Sequence, residues 1–471
     1  MGEKSSATNT QPALDPEWVD TTLLAGADDA VCLYLDGPVD RATLRGLVAE
    51  RREVLAAAGI GPGGAVALRL PPSLAYVANL LAAWRLGAQV TLLDHRLTGH
   101  ETARALQRVM PQAVVAPETA PGGGLRAFHE VRETVTAYPG HPAATPHAVV
   151  QLSSGSTGPS KVIGRTAANL VEEVERYVRI GAGVPQPGER VVLLASMVHV
   201  LGLVGGLLYG LHAGVELVLP QRLTVDSILK AVAAGTAPTT LLGVPFHIEL
   251  LASVAAPPRL PQLAGMTTGG ELVRAEVAKA FQDRYGVRLG NMYGMTEVGV
   301  IATDLFGVHR PAVMPAPGLT VREDGGELLV SVPASPYIGL SDPTRWADGW
   351  LHTRDAGTVD AATGQVTILG RLDSQVSVGG LKVDLTEVEH SLAALPGVVN
   401  AVVVFDGAIE AYVVVDDPVA GKGLDDALAE RLAAYKRPRV LHLVDQLPRT
   451  TNGKLVRDRA VLRTVAPEPA P

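Results

Sequence analysis

Along the first 300 residues, short runs of β-branched and aliphatic residues alternate with stretches whose apolar positions recur at helical spacing. AVALRL (65–70) is followed by SLAYVANLLAAWRLG, and QVTLL (89–93) by HETARALQRV. AVVAP (113–117), HAVVQLSS (147–154), RVVLLAS (190–196), VELVLP (215–220), TTLLGVP (239–245) and GVRLGNMYG (286–294) continue the series. Apolar strands separated by helices predict βα units with mostly parallel strands. After about residue 310 the pattern changes. PGLTVREDGGELLVSVP predicts a hairpin turning at Asp-Gly-Gly, and WLHTRDAGTVDAATGQVTILGR a second small β element. Past GRLD at 370–373 come a helix (TEVEHSLAAL), two strands (VVNAVVVFD, EAYVVVDD) and another helix (LDDALAERLAAY). The pattern predicts an α/β chain in two parts. Residues 1–370 are expected to form a large N-terminal domain of βα-layered sheets plus a β-barrel-like subdomain, and 371–471 a small α+β C-terminal domain. Residues 1–17 are expected to be disordered and the tail after 462 loose.

Composition narrows the function classes. Hydrophobic residues make up 47% and charged residues 19% of the 471, which is a globular and not a disordered balance. A net charge of −8 without a long Lys/Arg run argues against a protein that binds nucleic acid by neutralising phosphates. Cys32 is the single cysteine, so neither an intrachain disulfide nor a cysteine zinc site can form. The apolar stretch 191–219 is long enough to raise a membrane span. Its strand-like VVLLAS, Gly pairs, two His and Glu instead predict a buried strand followed by a core helix. The polar N-terminus lacks a signal-peptide core. The expectation is a cytoplasmic monomer or homodimer with no membrane span.

Candidate chemistry begins at VQLSSGSTGPSKVI (150–163), where hydroxyls, glycines and one lysine follow an apolar run. Backbone N–H groups, hydroxyls and a cation can together nest an anion. The spacing is not that of a Walker A loop, since Gly155, Gly158 and Lys161 stand three apart. On its own, such a loop is more often just a mobile connection.

Six further segments follow over about 300 residues: MVHVLGL (197–203), TTGGEL (267–272), NMYGMTEVG (291–299), WLHTRDAG (350–357), GRLDSQVSVGGLKVDLTEVE (370–389) and LPRTTNGKLVR (447–457). Together with the loop, and in this order, they resemble the adenylate-forming superfamily of acyl-CoA synthetases, luciferases and peptide-synthetase adenylation domains. The resemblance implies an ATP-dependent ligase that joins a small carboxylic acid to AMP and then passes the acyl group to the thiol of coenzyme A. The C-terminal domain would rotate between the two half-reactions.

The same resemblance implies residue roles. Ser153, Ser154, Gly155, Ser156, Thr157, Gly158 and Lys161 would hold ATP's phosphates. Glu297, with Thr157, would bind Mg²⁺, a hard cation suited to oxygen ligands. Thr296 would place a hydroxyl near the α-phosphate. Adenine would lie against Tyr293, among Asn291, Met292, Gly294 and Met295, with Gly270, Glu271 and Leu272 on its other side. Asp355 would take the ribose hydroxyls, two acceptor oxygens suiting a diol. Arg371 would contact the nucleotide. Lys454 would be the catalytic lysine, spanning the acid carboxylate and the α-phosphate, with Thr296, Glu297 and His199 as its catalytic company. Asp373 would be the hinge, and Gly379 and Gly380 would let backbone lie close to a pantetheine arm, unless they are simply a hairpin turn. His199, Phe246, His247, Gly269 and Gly270 would outline a modest apolar acid pocket. ASMVHVL carries no acid for an amino group, so an aromatic or short-to-medium aliphatic acid is favoured over an amino acid.

Several positions depart from the family's pattern: Arg354 where glycine is usual, Asp94 where asparagine is frequent, Ser377 in place of a lysine, Pro159-Ser160, and a compressed 303–345 region. They leave open an acceptor other than CoA, either a carrier-protein phosphopantetheine or a non-thiol group in secondary metabolism. A nucleotide-binding protein without catalysis is the remaining alternative.

Overall fold

The computed structural model describes residues 16–119, 127–153, 161–270, 273, 275–372, 374–416, 423–448 and 455–466. The chain divides into two compact units. One comprises Met1–His95, Val109–Gln151 and Val162–Gly370; the other Arg96–Arg108, Leu152–Lys161 and Arg371–Pro471.

The first unit carries the βα series. Its six-stranded sheet joins Ala113–Pro117, Ala65–Leu68, Gln89–Leu92 and His147–Ser153 in parallel, with Glu133–Ala137 antiparallel at one edge and Lys161–Thr166 at the other. A second, larger sheet runs in parallel from Val31–Tyr34 through Glu216–Val218, Arg190–Leu193, Thr239–Gly243 and Leu263–Gly269 to Arg288–Met295. There the direction reverses: Gly299–Asp304 returns antiparallel, and Ala312–Pro315 carries the sheet on into the strands between 321 and 371. The β-rich stretch is thus continuous with the parallel sheet through a single shared edge.

Caps and breakers act where the sequence places them. Helix Arg41–Ala57 starts at Asp40, whose carboxylate accepts the Thr43 N–H at 2.7 Å. Helix Ala167–Ile180 opens with Thr166 and Asn169 bonding each other's backbone. The apolar stretch 191–219 becomes a strand ending at Leu193, a π-helix Leu201–Leu208 running into helix Tyr209–Ala213, and strand Glu216–Val218. Among the described residues no helix is long and apolar enough to cross a membrane. The core is largely aliphatic, with Trp84, Tyr76 and Tyr177 its largest buried side chains.

The second unit is α+β. Gln375–Val378 and Leu381–Asp384 form a hairpin, helix Leu385–Ala393 follows, and Val398–Phe405 pairs with Ile409–Val415, beside which Val440–Leu443 lies parallel. Its core gathers Val388, Leu392, Val403, Ala411, Val413 and Leu428.

Candidate active site

The end of strand Arg288–Met295 is where chemistry-bearing residues converge. Asn291 and Met292 are buried and stand opposite Thr268 and Gly269 of the neighbouring parallel strand. The TTGG and NMYG segments, 24 residues apart in sequence, therefore end side by side, at the carboxyl ends of parallel strands where α/β sheets collect ligands. Gly270 has φ +94°, and an added Cβ there would meet nothing within 4 Å. Glycine is thus suited to this position by its backbone conformation.

Tyr293 donates its phenolic hydrogen to Asp355 Oδ2 at 2.6 Å. This contact joins two sequence motifs that lie 62 residues apart. Asp355 is 6% exposed. It stands where strand Trp350–Val359 bulges: Ala356 pairs with Glu327 and His352 with Leu329, so Thr353, Arg354 and Asp355 all face Leu328 alone. Bulges re-aim side chains beside functional sites. The Asp355 N–H is received by Thr353 Oγ1 at 3.0 Å, and that hydroxyl donates to the Leu328 carbonyl at 2.7 Å.

Thr296 and Glu297 lie in the turn after Met295. Glu297 Oε1 accepts from Tyr337 Oη at 3.1 Å. Burial, and then the Glu297 charge, push the Tyr337 phenol far above its usual range, so it remains a donor at working pH. Segment 336–338 also lies against strand Lys161–Thr166, with Gly164 N–H to Pro336 O at 2.9 Å and Ile338 N–H to Val162 O at 2.8 Å. Beneath the turn, Gly299 has φ +91°, and an added Cβ would overlap the Glu173 carboxylate at 2.1 Å. Glu173 is fully buried, accepts from Val300 N–H at 2.9 Å and pairs with Arg165 at 2.6 Å.

Of the acid-pocket residues, His199 is half-buried and donates its backbone N–H to Ser196 O at 3.1 Å, immediately before the π-helix. Two side chains that sequence reading passed over hold this turn: Gln151 Nε2 donates to Val198 O at 2.5 Å and Tyr76 Oη to Met197 O at 2.8 Å. An added Cβ at Gly269 would come within 2.9 Å of the Met292 carbonyl oxygen on the neighbouring strand, so any larger residue would force backbone to shift, whereas Leu201 at 3.5 Å would be in ordinary contact.

Phe246 is 45% exposed, but His247 is buried and accepts the Val244 N–H on Nδ1 at 3.1 Å. Its structural duty is to cap the helix it belongs to. Burial pushes this imidazole down from 6.5 to about 4, against a smaller opposing effect of the Val244 hydrogen bond. Its contribution to stability is therefore complete above pH 6.5. It is lost as pH falls from 6.5 towards 4, where the unfolded chain takes up a proton that the folded one refuses. The loss reaches about 3 kcal/mol. Urea midpoints at pH 7.5 and 5 should therefore differ less in His247→Asn, which keeps an acceptor but does not titrate; an unchanged difference would refute this.

Gly379 and Gly380, with φ of +56° and +81°, form the two-residue turn between Val378 and Leu381. Two positive φ values in succession make a type I′ hairpin turn, which by itself accounts for both glycines. Arg371 ends strand Val366–Arg371 and is exposed. Ser153 and Lys161 end and begin the two strands on either side of residues 154–160. Of the expected site residues, Ser154, Gly155, Ser156, Thr157 and Gly158, and likewise Glu271, Leu272, Asp373 and Lys454, lie outside the described residues.

The donor set fits an ATP site. A buried carboxylate with a tyrosine beside it suits a ribose diol and an aromatic base, and open space at Gly270 suits close approach of backbone to ligand. Among the described residues no three His, Cys, Asp or Glu side chains group as a metal site. A single carboxylate such as Glu297 is what Mg²⁺ commonly uses when phosphate oxygens supply the rest.

Fold and site together define a two-unit α/β nucleotide-using enzyme. Residues 44–325 match the model of the AMP-binding enzymes and residues 387–454 that of the AMP-binding enzyme C-terminal domain. The chain belongs to the AMP-binding enzyme family, within the adenylate-forming superfamily. Feruloyl-CoA synthase from an Amycolatopsis species is 30% identical over 87% of this chain and 91% of its own. The p-hydroxybenzoic acid–AMP ligase FadD22 of Mycobacterium tuberculosis is 27% identical over 94% of this chain and 67% of its own. Among solved structures, the amide bond synthetase McbA from Marinactinospora thermotolerans gives a TM-score of 0.77 at 25% identity, covering 95% of this chain and 98% of that one.

Proposed function

We propose that this protein is an AMP-forming acid–thiol ligase acting on a small, mainly aromatic, carboxylic acid with CoA as acceptor. The observation that carries the reading is the Tyr293–Asp355 hydrogen bond, which joins the NMYGMTEVG and WLHTRDAG motifs and so supports a nucleoside site there. Relatives named for ferulate and p-hydroxybenzoate support an aromatic acid.

In the first half-reaction an acid oxygen bonds to the α-phosphorus of ATP as the bond to the departing pyrophosphate breaks. Asp355 and Tyr293 hold the nucleoside, and Lys161 with the loop hydroxyls holds the phosphates. Glu297, with Thr157, would hold Mg²⁺, which would supply positive charge to offset that of the phosphates. Thr296 and Lys454 serve the α-phosphate in this reading, where fixed donors stabilise charge as it develops. His199 borders the acid. In the second half-reaction the thiol sulfur bonds to the acyl carbon and AMP departs. Residues 371–471 turn about Asp373 between the two steps, which removes Lys454 and opens the thiol's path. A cytoplasmic location completes the proposal, with Cys32 kept as a buried thiol that burial pushes up to about 11.

The test is acid-dependent pyrophosphate release with ATP and Mg²⁺ across benzoates, cinnamates, arylacetates, alkanoates and amino acids, followed by mass measurement of the product with CoA. Release with aryl acids and a CoA thioester is expected; no release with any acid would overturn the ligase reading. The likeness to an amide bond synthetase favours one second reading, an amine acceptor. Product formed with amines in place of CoA would establish it.

A further inference from the structure

Arg354 is one of three described non-glycine residues at positive φ, at +61°. It occupies the centre of the bulge, directly before Asp355. Left-handed backbone disfavours a residue with a Cβ and persists only where the surroundings over-determine it. Here the surroundings centre on one carboxylate. Glu327 Oε1 accepts the Arg354 N–H at 2.8 Å and lies 3.9 Å from the Arg354 Nε. Its other oxygen, Oε2, accepts from His352 Nδ1 at 3.0 Å. Arg354 Nη2 donates in turn to Thr344 O at 2.8 Å. Glu327 itself begins a strand straight after the Gly325-Gly326 turn, and its side chain is 12% exposed. One carboxylate thus ties down the residue before the bulge and the strained residue within it. Asp355 emerges from that brace to meet Tyr293.

We propose that Glu327 is a positioning residue for Asp355, acting through the Arg354 backbone, and that it sets how strictly the site prefers ribonucleotides to deoxyribonucleotides. The inference rests on the reading of Asp355 as the ribose-binding carboxylate. Two hydroxyls on adjacent carbons engage both oxygens of a carboxylate only when that carboxylate is held in one orientation. Where glycine precedes the aspartate, this backbone conformation carries no Cβ penalty. With arginine there, the brace keeps the conformation occupied.

The experiment measures dissociation constants for ATP, 2′-deoxyATP and 3′-deoxyATP by calorimetry, which needs no knowledge of the acid. Glu327→Ala should lower the preference for ATP over the deoxy forms about tenfold, mostly by weakening ATP. Glu327→Gln, which keeps an acceptor for the Arg354 N–H, should restore most of it. In an Arg354→Gly background, Glu327→Ala should change the preference less than twofold. Thr353→Val removes the hydroxyl that braces Asp355 from the other side, and it should reproduce the loss if Glu327→Ala does not fold. Equal weakening of all three nucleotides, or an unchanged preference in both Glu327→Ala and Thr353→Val, overturns the inference. Asp355→Asn is measured in parallel. If that variant keeps the wild-type preference, the reading of Asp355 fails; if only the Glu327 and Thr353 variants keep it, the reading stands and the inference alone falls.

Discussion

Glu173→Ala is expected to lower the stability of the unit containing residues 162–370 by about 3–5 kcal/mol, the usual cost of breaking a buried ion pair from one side. Glu173 is fully buried on helix Ala167–Ile180 and pairs with Arg165, which is 4% exposed. Arg176, at 6%, lies in the same buried group and donates to Val300 O at 3.3 Å. Truncation would leave two guanidinium groups without their buried counter-charge, and the Val300 N–H without its acceptor. Glu173→Gln should cost less, because an amide oxygen still receives that N–H. Urea unfolding of purified variants measures both. A midpoint for Glu173→Ala within about 1 kcal/mol of wild type would show that the pair is replaceable. Val300 lies three residues beyond Glu297, so the same change should also weaken binding of Mg²⁺ and ATP.

Lys454→Ala should reduce acid-dependent pyrophosphate release by about 10²–10³-fold, the scale for losing one preorganised donor to a developing charge. Release of AMP from a preformed acyl-adenylate by CoA should stay within a few-fold of wild type. The split matters because general damage to residues 371–471 would slow both steps. Lys454 lies outside the described residues, but the chain on either side of it is well tied. Val456 N–H reaches Pro448 O at 2.9 Å, and Arg457 engages both oxygens of Glu389, one of them at 2.8 Å. Glu389 closes the hinge motif and Arg457 the lysine motif, so two segments recognised separately in the sequence are joined by one bidentate pair. Pyrophosphate release within threefold of wild type in Lys454→Ala would remove the lysine from the adenylation step.

Much of the fold could be read from local pattern. The alternation of apolar runs and helical stretches gave the parallel strands, and Asp-Gly-Gly gave the hairpin between Val321–Asp324 and Glu327–Ser331. Motif order led to Tyr293 and Asp355 before their contact was visible. What local pattern could not carry was non-local support. Glu173 is 127 positions from the backbone it holds, and Tyr337 is 40 from Glu297. Neither has a neighbour in sequence that marks it. His247 looked like a pocket residue because of where it follows Gly-Val-Pro, yet its ring turns inward to cap its own helix. Arg354 read as a departure from the glycine pattern. Its φ shows the left-handed backbone that glycine would meet without strain, here maintained by a carboxylate 27 residues earlier. Only the outlying φ exposes that substitution of support for flexibility.

All four tryptophans, Trp18, Trp84, Trp346 and Trp350, lie in the first unit. Trp18 and Trp84 face each other at 5.3 Å in the core, and Trp350 carries the Arg322 guanidinium over its ring at 4.0 Å. Indole emission therefore reports melting of that unit and is blind to the other, whose aromatic reporters are tyrosines such as Tyr412, stacked on His442 at 4.6 Å. A molecule whose small unit had come undone could still look native to a fluorimeter while circular dichroism recorded the loss.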